Sequence, residues 1–140
     1  MDNKTVRHVL LVDDNDTDNF IHKRILELTD FSQVVSIKNS GKSALEYLSL
    51  TWQETPELLP SIIFLDINMP IVDGFVFLFE FESFPEDLKN RIKLVILSNT
   101  DNQRDIDRVV KNEYVDMFIS KPLTEDHLPK ISQLFELTTK

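Results

Sequence analysis

Five short apolar segments rich in Val, Ile and Leu recur along this chain of 140 residues, and helix-like segments separate them. Apolar residues at successive positions are typical of strands that are covered on both faces. Alternation of such strands with helices favours a parallel sheet with helices on both sides, joined by right-handed crossovers. We therefore predict an α/β fold, a doubly wound five-stranded parallel sheet in the order 2-1-3-4-5. The predicted strands are Val9–Val12, Val34–Ile37, Ile62–Leu65, Leu94–Leu97 and Val115–Ile119.

Helical periodicity predicts which side chains of the intervening segments face the sheet. Asn15 or Asp16 can cap the first helix. Ser40 opens the second helix and Thr124 can cap the last. With two prolines, the segment Trp52–Pro60 is predicted to be a loop. The predicted inward sets are Ile21, Ile25 and Leu28, then Ala44, Leu45 and Leu48, then Ile106, Val109 and Val110, and finally Leu128, Ile131 and Phe135.

A phenylalanine-rich segment after the third strand fits two patterns. Alternate positions from Phe75 to Phe81 are all phenylalanine, which is the period of a strand. We predict a helix instead, because a parallel pair of strands needs a crossover there, after a turn marked by Pro70 and Asp73-Gly74. The predicted inward face is Phe77, Leu78, Phe81 and Phe84. The second face, with Phe75, Val76 and Phe79, is then either partly covered or an interface for a partner.

Composition excludes several classes of function. The chain has no cysteine, which excludes disulfides and thiolate metal sites. Its net charge of −9 disfavours direct binding to nucleic acid. No signal-peptide pattern opens the chain and no apolar stretch approaches the length of a membrane span. We therefore expect a soluble, cytoplasmic protein with no membrane insertion. His8, His22 and His127 show no ligand spacing and are expected on the surface.

Polar side chains follow the predicted strands. Asp13 and Asp14 come after the first strand, Asp66 after the third, Ser98 after the fourth and Lys121 after the fifth. The carboxyl ends of parallel strands share one edge of the sheet, so these side chains can converge there.

Three adjacent carboxylates repel one another, and a hard divalent cation removes that conflict. Mg²⁺ prefers oxygen ligands, typically a few carboxylates with water and phosphate. A carboxylate can also attack phosphorus to form an aspartyl phosphate. The cation and a lysine would neutralise the charge of the transferring group, and the hydroxyl of Ser98 could bind a phosphoryl oxygen.

Four stretches of the chain resemble the receiver domain of two-component response regulators. They are Leu11–Asn15, Phe64–Gly74, Val95–Asn99 and Phe118–Pro122. The occurrence of all four in this order is highly specific for that family. The resemblance covers essentially the whole chain, 1–140, and implies the flavodoxin-like receiver fold. It points to a single, chemotaxis-regulator-like receiver domain that stands alone, without an output domain.

The resemblance implies a role for each matching residue. Asp66 would be the phosphoacceptor, and Asp13, Asp14 and the backbone carbonyl of Asn68 would join it as ligands of Mg²⁺. Ser98 and Lys121 would contact the phosphoryl group. The Lys121-Pro122 bond is often cis in the family. Phe118 stands at the aromatic switch position, where the ring follows the movement of the Ser98 hydroxyl.

Two departures from the family pattern bear on phosphoryl lifetime and signalling. Asn99 stands where a small residue is usual, and a bulkier neighbour could slow the approach of water or donor. Thr100 follows at another position linked to the hydrolysis rate. Phe118 lacks the hydroxyl of a tyrosine, so any hydrogen bond from that tip is absent.

Other interpretations of the acidic residues fit less well. Asp13, Asp14, Asp16 and Asp18 imitate a calcium loop, but the turn glycine and the bidentate glutamate of that motif are missing. Asp16 and Asp18 are better explained as first-turn residues favoured by the helix dipole. A haloacid-dehalogenase-type phosphatase would need a second aspartate where Asn68 stands.

The expected function is therefore a phosphorylation-activated switch in a two-component or phosphorelay system, and not an enzyme acting on other substrates. The donor would be a phosphohistidine on a sensor histidine kinase or a phosphotransfer protein. The signal would pass by binding of a downstream protein through the fourth predicted helix, the fifth strand and the fifth predicted helix. The alternative is a scaffold or relay intermediate whose partners bind regardless of phosphorylation.

Overall fold

The computed structural model describes residues 6–69 and 73–138 and contains one five-stranded sheet. The strands run parallel in the order β2-β1-β3-β4-β5, as predicted. Their bounds are β1 Val6–Val12, β2 Ser32–Lys38, β3 Ile62–Leu65, β4 Lys93–Ser98 and β5 Val115–Ser120. The central strand β3 is buried along its whole length, as expected for a continuous apolar run.

Six α-helices connect or flank these strands within the described residues. They are α1 Asp16–Leu28, α2 Gly41–Glu54, α3 Gly74–Glu82, α4 Glu86–Asn90, α5 Gln103–Val110 and α6 Leu128–Thr138. The short helix α4 was not predicted, so the fourth and fifth predicted helices are α5 and α6. Helix α2 continues to Glu54, and a 3₁₀ turn covers Pro56–Leu58, so the predicted loop from Trp52 is wrong in its first part.

The sheet separates two apolar clusters. Helices α2, α3 and α5 cover one face through residues such as Ala44, Phe77 and Val109. Helices α1 and α6 cover the other through Leu26 and Ile131. Helices on both faces are the reason that successive strand residues are apolar.

Side chains cap three helices at the edge of the sheet where the strands end. The side chain of Asn15 accepts the backbone N–H of Asp18, and that of Ser40 accepts the N–H of Ser43. The Asp73 carboxylate caps α3 in the same way. Thr124 caps a 3₁₀ turn, Glu125–His127, that precedes α6. The caps at Asn15 and Ser40 agree with the sequence prediction, whereas Thr124 precedes the 3₁₀ turn and not the last helix itself.

Gly74 begins α3 in close contact with the loop after β3. A Cβ on this residue would overlap the backbone Cα of Ile67 and would lie 2.8 Å from its Cβ. The glycine at this position therefore lets α3 pack directly behind the segment that carries Asp66. The predicted turn residue Pro70 lies outside the described residues.

The Phe-rich segment is helical, as predicted. Phe77, Leu78 and Phe81 are buried, whereas Phe79 is 71% exposed. Phe75 is partly buried and its ring lies 3.9 Å below the guanidinium of Arg108. The second face is thus partly covered at Phe75 and open at Phe79.

The prediction for the inward face of α1 was wrong by about one position along the helix. Ile21 is 43% and Leu28 is 69% exposed, while Asn19, His22 and Leu26 are buried. The Asn19 side-chain amide donates to the backbone carbonyl of Asp13 at 2.8 Å. This polar contact belongs to the buried face, so a pattern of apolar residues alone gives the wrong rotation.

The predicted inward position of Val110 on α5 was also wrong, since this residue is 51% exposed. Val109 alone is fully buried on this short helix. The other residues of the helix are polar or partly exposed, so α5 meets the sheet along a narrow contact.

The surface positions predicted for His8 and His22 were wrong. His8 is buried between Leu58, whose carbonyl lies 3.1 Å from Nδ1, and the Ser36 hydroxyl at 2.8 Å from Nε2. Burial lowers the pKa of both imidazoles, so the neutral form is favoured inside the fold.

Candidate functional site: an acidic cluster with a buried lysine

The polar residues singled out in the sequence meet at one edge of the sheet. Asp13 follows β1, Asp66 follows β3, Ser98 ends β4 and Lys121 follows β5. Strands β1, β3, β4 and β5 are consecutive neighbours in the sheet, and their carboxyl ends lie together. The convergence expected from parallel strands is therefore present.

Three carboxylates form a compact cluster at this edge. One oxygen from each of Asp13, Asp14 and Asp66 lies within 4.8 Å of the other two. Asp13 and Asp66 are buried, whereas Asp14 is exposed at the mouth of the cluster. A ligand can therefore approach from the side of Asp14.

Backbone amides orient the two buried carboxylates. The N–H of Asn15 donates to Asp13 Oδ1 at 2.9 Å. The N–H of Asn68 donates to Asp66 Oδ1 at 3.3 Å. Each contact spans two residues and closes a tight turn directly after the strand. The first oxygen of each carboxylate is thus held, and the second oxygen, Oδ2, faces the lysine.

Lys121 brings a positive charge into the cluster. Its Nζ lies 2.6 Å from Asp13 Oδ2, 2.7 Å from Asp18 Oδ2 and 3.5 Å from Asp66 Oδ2. The lysine side chain is only 6% exposed, so these contacts are weakly screened by solvent. The Lys121-Pro122 bond is cis, in agreement with the prediction.

The pKa of both Lys121 and Asp66 is raised, which favours the charged form of the lysine and the neutral form of the aspartate. Burial alone would lower the pKa of Lys121, but hydrogen bonds to Asp13 and Asp18 raise it overall. Burial raises the pKa of Asp66, and the neighbouring carboxylate of Asp13 raises it further, although Lys121 and hydrogen bonds from Asn68 and Ser98 act in the opposite direction. The contacts that the protein makes to Asp66 therefore do not fully offset the unfavourable burial of its negative charge.

Ser98 is fully buried at the end of β4 and points toward the same cluster. Its hydroxyl lowers the pKa of Asp66 through a hydrogen bond, and its Oγ accepts the N–H of Thr100 at 3.3 Å. Phe118, on the adjacent strand β5, is paired in register with Ile96 and packs partly buried against one core cluster.

Two residues of this site were not predicted from the sequence. Asp18 was assigned only a role at the helix terminus, yet its carboxylate pairs with Lys121. Asn19 was given no role, yet it binds the Asp13 carbonyl. Both lie four to six positions after Asp13-Asp14, where the first turn of a helix faces back to the preceding strand end. That spacing was the available signal.

The cluster suits a hard divalent cation. Two buried carboxylates and one exposed carboxylate share a small space, and burial, together with the neighbouring carboxylate of Asp13, raises the pKa of Asp66. Carboxylate oxygens are preferred ligands of hard divalent cations. The residues present therefore fit a metal ion at Asp13, Asp14 and Asp66.

A family model described as the response regulator receiver domain matches residues 9–133. The chain belongs to this family. A receiver domain is one half of a two-component signalling pair and is not a conventional enzyme. In this receiver the acidic cluster fits a phosphorylation and metal site.

Similar proteins include other receivers. Response regulator Rcp1 of Synechocystis is 31% identical over 70% of this chain and 65% of its own length. A crystal structure of a two-component response regulator from Cytophaga hutchinsonii has 30% identity and a TM-score of 0.86, with 94% of this chain and 98% of that chain covered. The phosphorylated cyanobacterial phytochrome response regulator RcpA has 28% identity and a TM-score of 0.73, with 96% of both chains covered.

Rcp1 has also been crystallised in a Mn²⁺-bound form, which has 26% identity to this chain and a TM-score of 0.71, with 95% of this chain and 94% of that chain covered. A divalent cation is thus part of one similar structure. No helix in residues 6–69 or 73–138 of this receiver is long and apolar enough to cross a membrane.

Proposed function

We propose that this receiver is a phosphorylation-activated switch that accepts a phosphoryl group on Asp66 from a phosphohistidine. The donor is a sensor histidine kinase or a phosphotransfer protein, and the signal leaves by binding to a downstream protein. The observation that carries the proposal is the meeting of Asp13, Asp14 and Asp66 with the buried ammonium of Lys121 at one edge of the sheet.

In the proposed reaction a carboxylate oxygen of Asp66 attacks phosphorus. An O–P bond forms, the N–P bond of the phosphohistidine breaks, and the imidazole of the donor leaves with the bonding electrons. Asp66 has one oxygen held by Asn68 N–H, which fixes the orientation of the carboxylate. A fixed nucleophile loses little entropy on reaching the reactive geometry.

The proposed cofactor is Mg²⁺, held by Asp13, Asp14, Asp66 and the backbone carbonyl of Asn68. Its chemical contribution when bound is to neutralise charge on the carboxylates and on the phosphoryl oxygens. Mg²⁺ is favoured over a softer ion because all of these ligands are oxygens.

Lys121 and Ser98 supply the remaining contacts in this proposal. Lys121 Nζ lies 3.5 Å from Asp66 Oδ2, so a phosphoryl group attached there would come within reach of the ammonium. The buried hydroxyl of Ser98 would donate to another phosphoryl oxygen. Together these side chains stabilise negative charge that Asp66 alone cannot hold.

We expect acetyl phosphate and Mg²⁺ to add one phosphoryl group to the purified protein. Acetyl phosphate is a small donor, so this test does not require the cognate kinase. Intact mass spectrometry would detect the adduct, and chelation of divalent ions with EDTA should abolish it. Adduct formation that continues undiminished in EDTA would contradict the proposed metal requirement, and no adduct under any condition would contradict the function.

We further propose that Ser98 and Phe118 form the switch. Ser98 would move toward a phosphoryl group, and the partly buried ring of Phe118 would turn into the space next to β4, shifting a pre-existing equilibrium. The beryllofluoride adduct of the protein mimics the phosphorylated state. Solution NMR should show methyl and ring shift changes around Phe118 on adduct formation that exceed those around Phe81, which is buried elsewhere in the core. Unchanged Phe118 shifts would reject the switch.

Two surfaces suit the proposed partners. Helix α1 begins beside the acidic cluster and exposes Phe20 and Leu28, so a donor whose histidine reaches Asp66 would contact this helix. The proposed downstream surface is α5, β5 and α6, next to Phe118. Its exposed Val110 gives that surface an apolar contact point.

A further inference from the structure

We propose that Asp18 is a positioning residue that holds Lys121 so that Asp13 is free to bind the divalent cation. This inference rests on the proposed function and assigns a role to a side chain outside the seven positions to which the family resemblance gives a role. Asp18 lies in the first turn of α1, one helical turn beyond Asp14. Its Oδ2 accepts a hydrogen bond from Lys121 Nζ at 2.7 Å.

The distances show that Lys121 is shared unequally. Among the described residues, three carboxylates lie within 4 Å of its Nζ, and Asp13 and Asp18 are nearly equidistant from it at 2.6 and 2.7 Å. The phosphoacceptor candidate Asp66 lies farther away, at 3.5 Å. Lys121 is therefore paired more closely with Asp13 and Asp18 than with the phosphoacceptor candidate.

Asp13 has to serve two partners in turn. Its Oδ1 already accepts the N–H of Asn15, and its Oδ2 is the closest contact of Lys121. A cation that takes Asp13 Oδ2 as a ligand must share that oxygen with Lys121 or displace the ammonium from it. The free-energy cost of this exchange depends on whether Lys121 keeps another ion pair after it has lost Asp13.

Asp18 provides the ion pair that Lys121 keeps when Asp13 binds the cation. The lysine side chain is 6% exposed, so an ammonium that lost Asp13 could not turn to bulk water. A buried charge without a close partner is strongly unfavourable. With Asp18 present, Lys121 keeps a direct ion pair and Asp13 is released at a smaller cost.

The local structure keeps Asp18 in place. Its backbone N–H donates to the side chain of the cap residue Asn15 at 2.9 Å, so the first turn of α1 is fixed. The Asp18 side chain is 25% exposed, which leaves it largely shielded next to Lys121. The carboxylate that pairs with Lys121 therefore belongs to a capped helix terminus and not to a loop.

The test compares Asp18→Asn with Asp16→Asn. Both variants remove one carboxylate from the first turn of α1, but Asp16 is exposed and is not among the three carboxylates near Lys121. Changes in helix-dipole interaction and net charge are therefore matched between the two variants. Thermal unfolding of both verifies that the fold is retained.

The first measurement is made without metal. The ¹⁵N–¹H correlation of the Lys121 ammonium, identified by its absence in Lys121→Arg, should be resolved in the wild type because the group is buried and hydrogen-bonded. In Asp18→Asn this signal should broaden through faster exchange with water or shift, and in Asp16→Asn it should stay in place. An unchanged Lys121 signal in Asp18→Asn would overturn the proposal.

The second measurement is the affinity for Mg²⁺, which is obtained from the shift of the Asn68 backbone amide signal as Mg²⁺ is added. Asp18→Asn should weaken Mg²⁺ binding roughly three- to tenfold relative to Asp16→Asn, a size typical of a partly shielded charge-assisted hydrogen bond. In a Lys121→Met background the difference between the two variants should disappear, because the coupling runs through Lys121. Equal affinities in the wild-type background, or an undiminished difference in the Lys121→Met background, would overturn the proposal.

The two measurements separate this inference from the proposed function. A wild-type protein that bound no Mg²⁺ and accepted no phosphoryl group would reject the proposed function. The ammonium signal, recorded without metal or donor, would still decide whether Asp18 holds Lys121.

Discussion

Replacing Asp66 with asparagine is expected to abolish phosphoryl uptake and to make the metal-free protein harder to unfold. Asparagine keeps the shape of the side chain and can still accept the N–H of Asn68, but its amide oxygen does not attack phosphorus. Intact mass after incubation with acetyl phosphate and Mg²⁺ should therefore show no adduct. Any adduct of wild-type abundance in Asp66→Asn would place the phosphoacceptor elsewhere.

The expected gain in stability follows from the direction of the pKa shift. The pKa of Asp66 is raised in the fold, mainly by burial, so the ionised side chain is less favourable in the folded than in the unfolded state. A neutral asparagine removes that cost near neutral pH. The urea midpoint of Asp66→Asn should therefore exceed that of the wild type when divalent ions are chelated.

Excess Mg²⁺ should reverse or narrow this difference in stability. A ligand that binds only the folded state stabilises it, and the wild type has one more proposed carboxylate ligand than the variant.

A matched control is Asp73→Asn, which changes a carboxylate at the cap of α3, where asparagine caps equally well. This control should retain phosphoryl uptake. A lower urea midpoint for Asp66→Asn than for the wild type in chelator would contradict the electrostatic argument.

Phe81→Ala is expected to cost about 3–5 kcal/mol of unfolding free energy, because it removes a large ring from a packed core. Phe81 is 1% exposed, and its ring centroid lies 6.0 Å from those of Phe84 and Tyr114. It also stacks with Phe77 at 6.2 Å. Equilibrium urea unfolding followed by circular dichroism measures the change in free energy.

The matched control for this prediction is Phe79→Ala on the same helix. Phe79 is 71% exposed, so its loss should change the unfolding free energy by no more than about 0.5 kcal/mol. A strand through this segment would put both rings on one face and make the two variants similar. Comparable losses of stability in Phe79→Ala and Phe81→Ala would therefore contradict the helical structure.

Much of the fold followed from local sequence patterns. The apolar runs located all five strands, although β1 begins at Val6 and β2 at Ser32, before the runs that marked them. Strand order and the common edge for Asp13, Asp66 and Lys121 then followed from parallel pairing and crossover handedness. Caps such as Asn15 and Ser40 were also evident, because a cap acts within a few residues of its own helix.

Helix rotation was less predictable, and α1 and α5 show why. On α1 the buried face contains two polar residues, Asn19 and His22, and Asn19 binds the backbone carbonyl of Asp13 at the end of β1. On α5 Val110 is exposed although its neighbour Val109 is buried. Periodicity counts apolar residues and cannot register a polar group whose partner lies on another element.

Local patterns were enough to predict the parallel sheet and the strand ends at which carboxylates, a hydroxyl and a lysine would meet, because strand periodicity and crossover handedness follow from short segments of the chain. Which atoms pair there depends on the packing of elements that are far apart along the chain. Lys121 lies nearer to Asp13 and Asp18 than to Asp66, and Asp18 is 103 positions away from it along the chain. Such distances depend on where the first turn of α1 lies relative to the residue that follows β5, and no spacing within one segment encodes them.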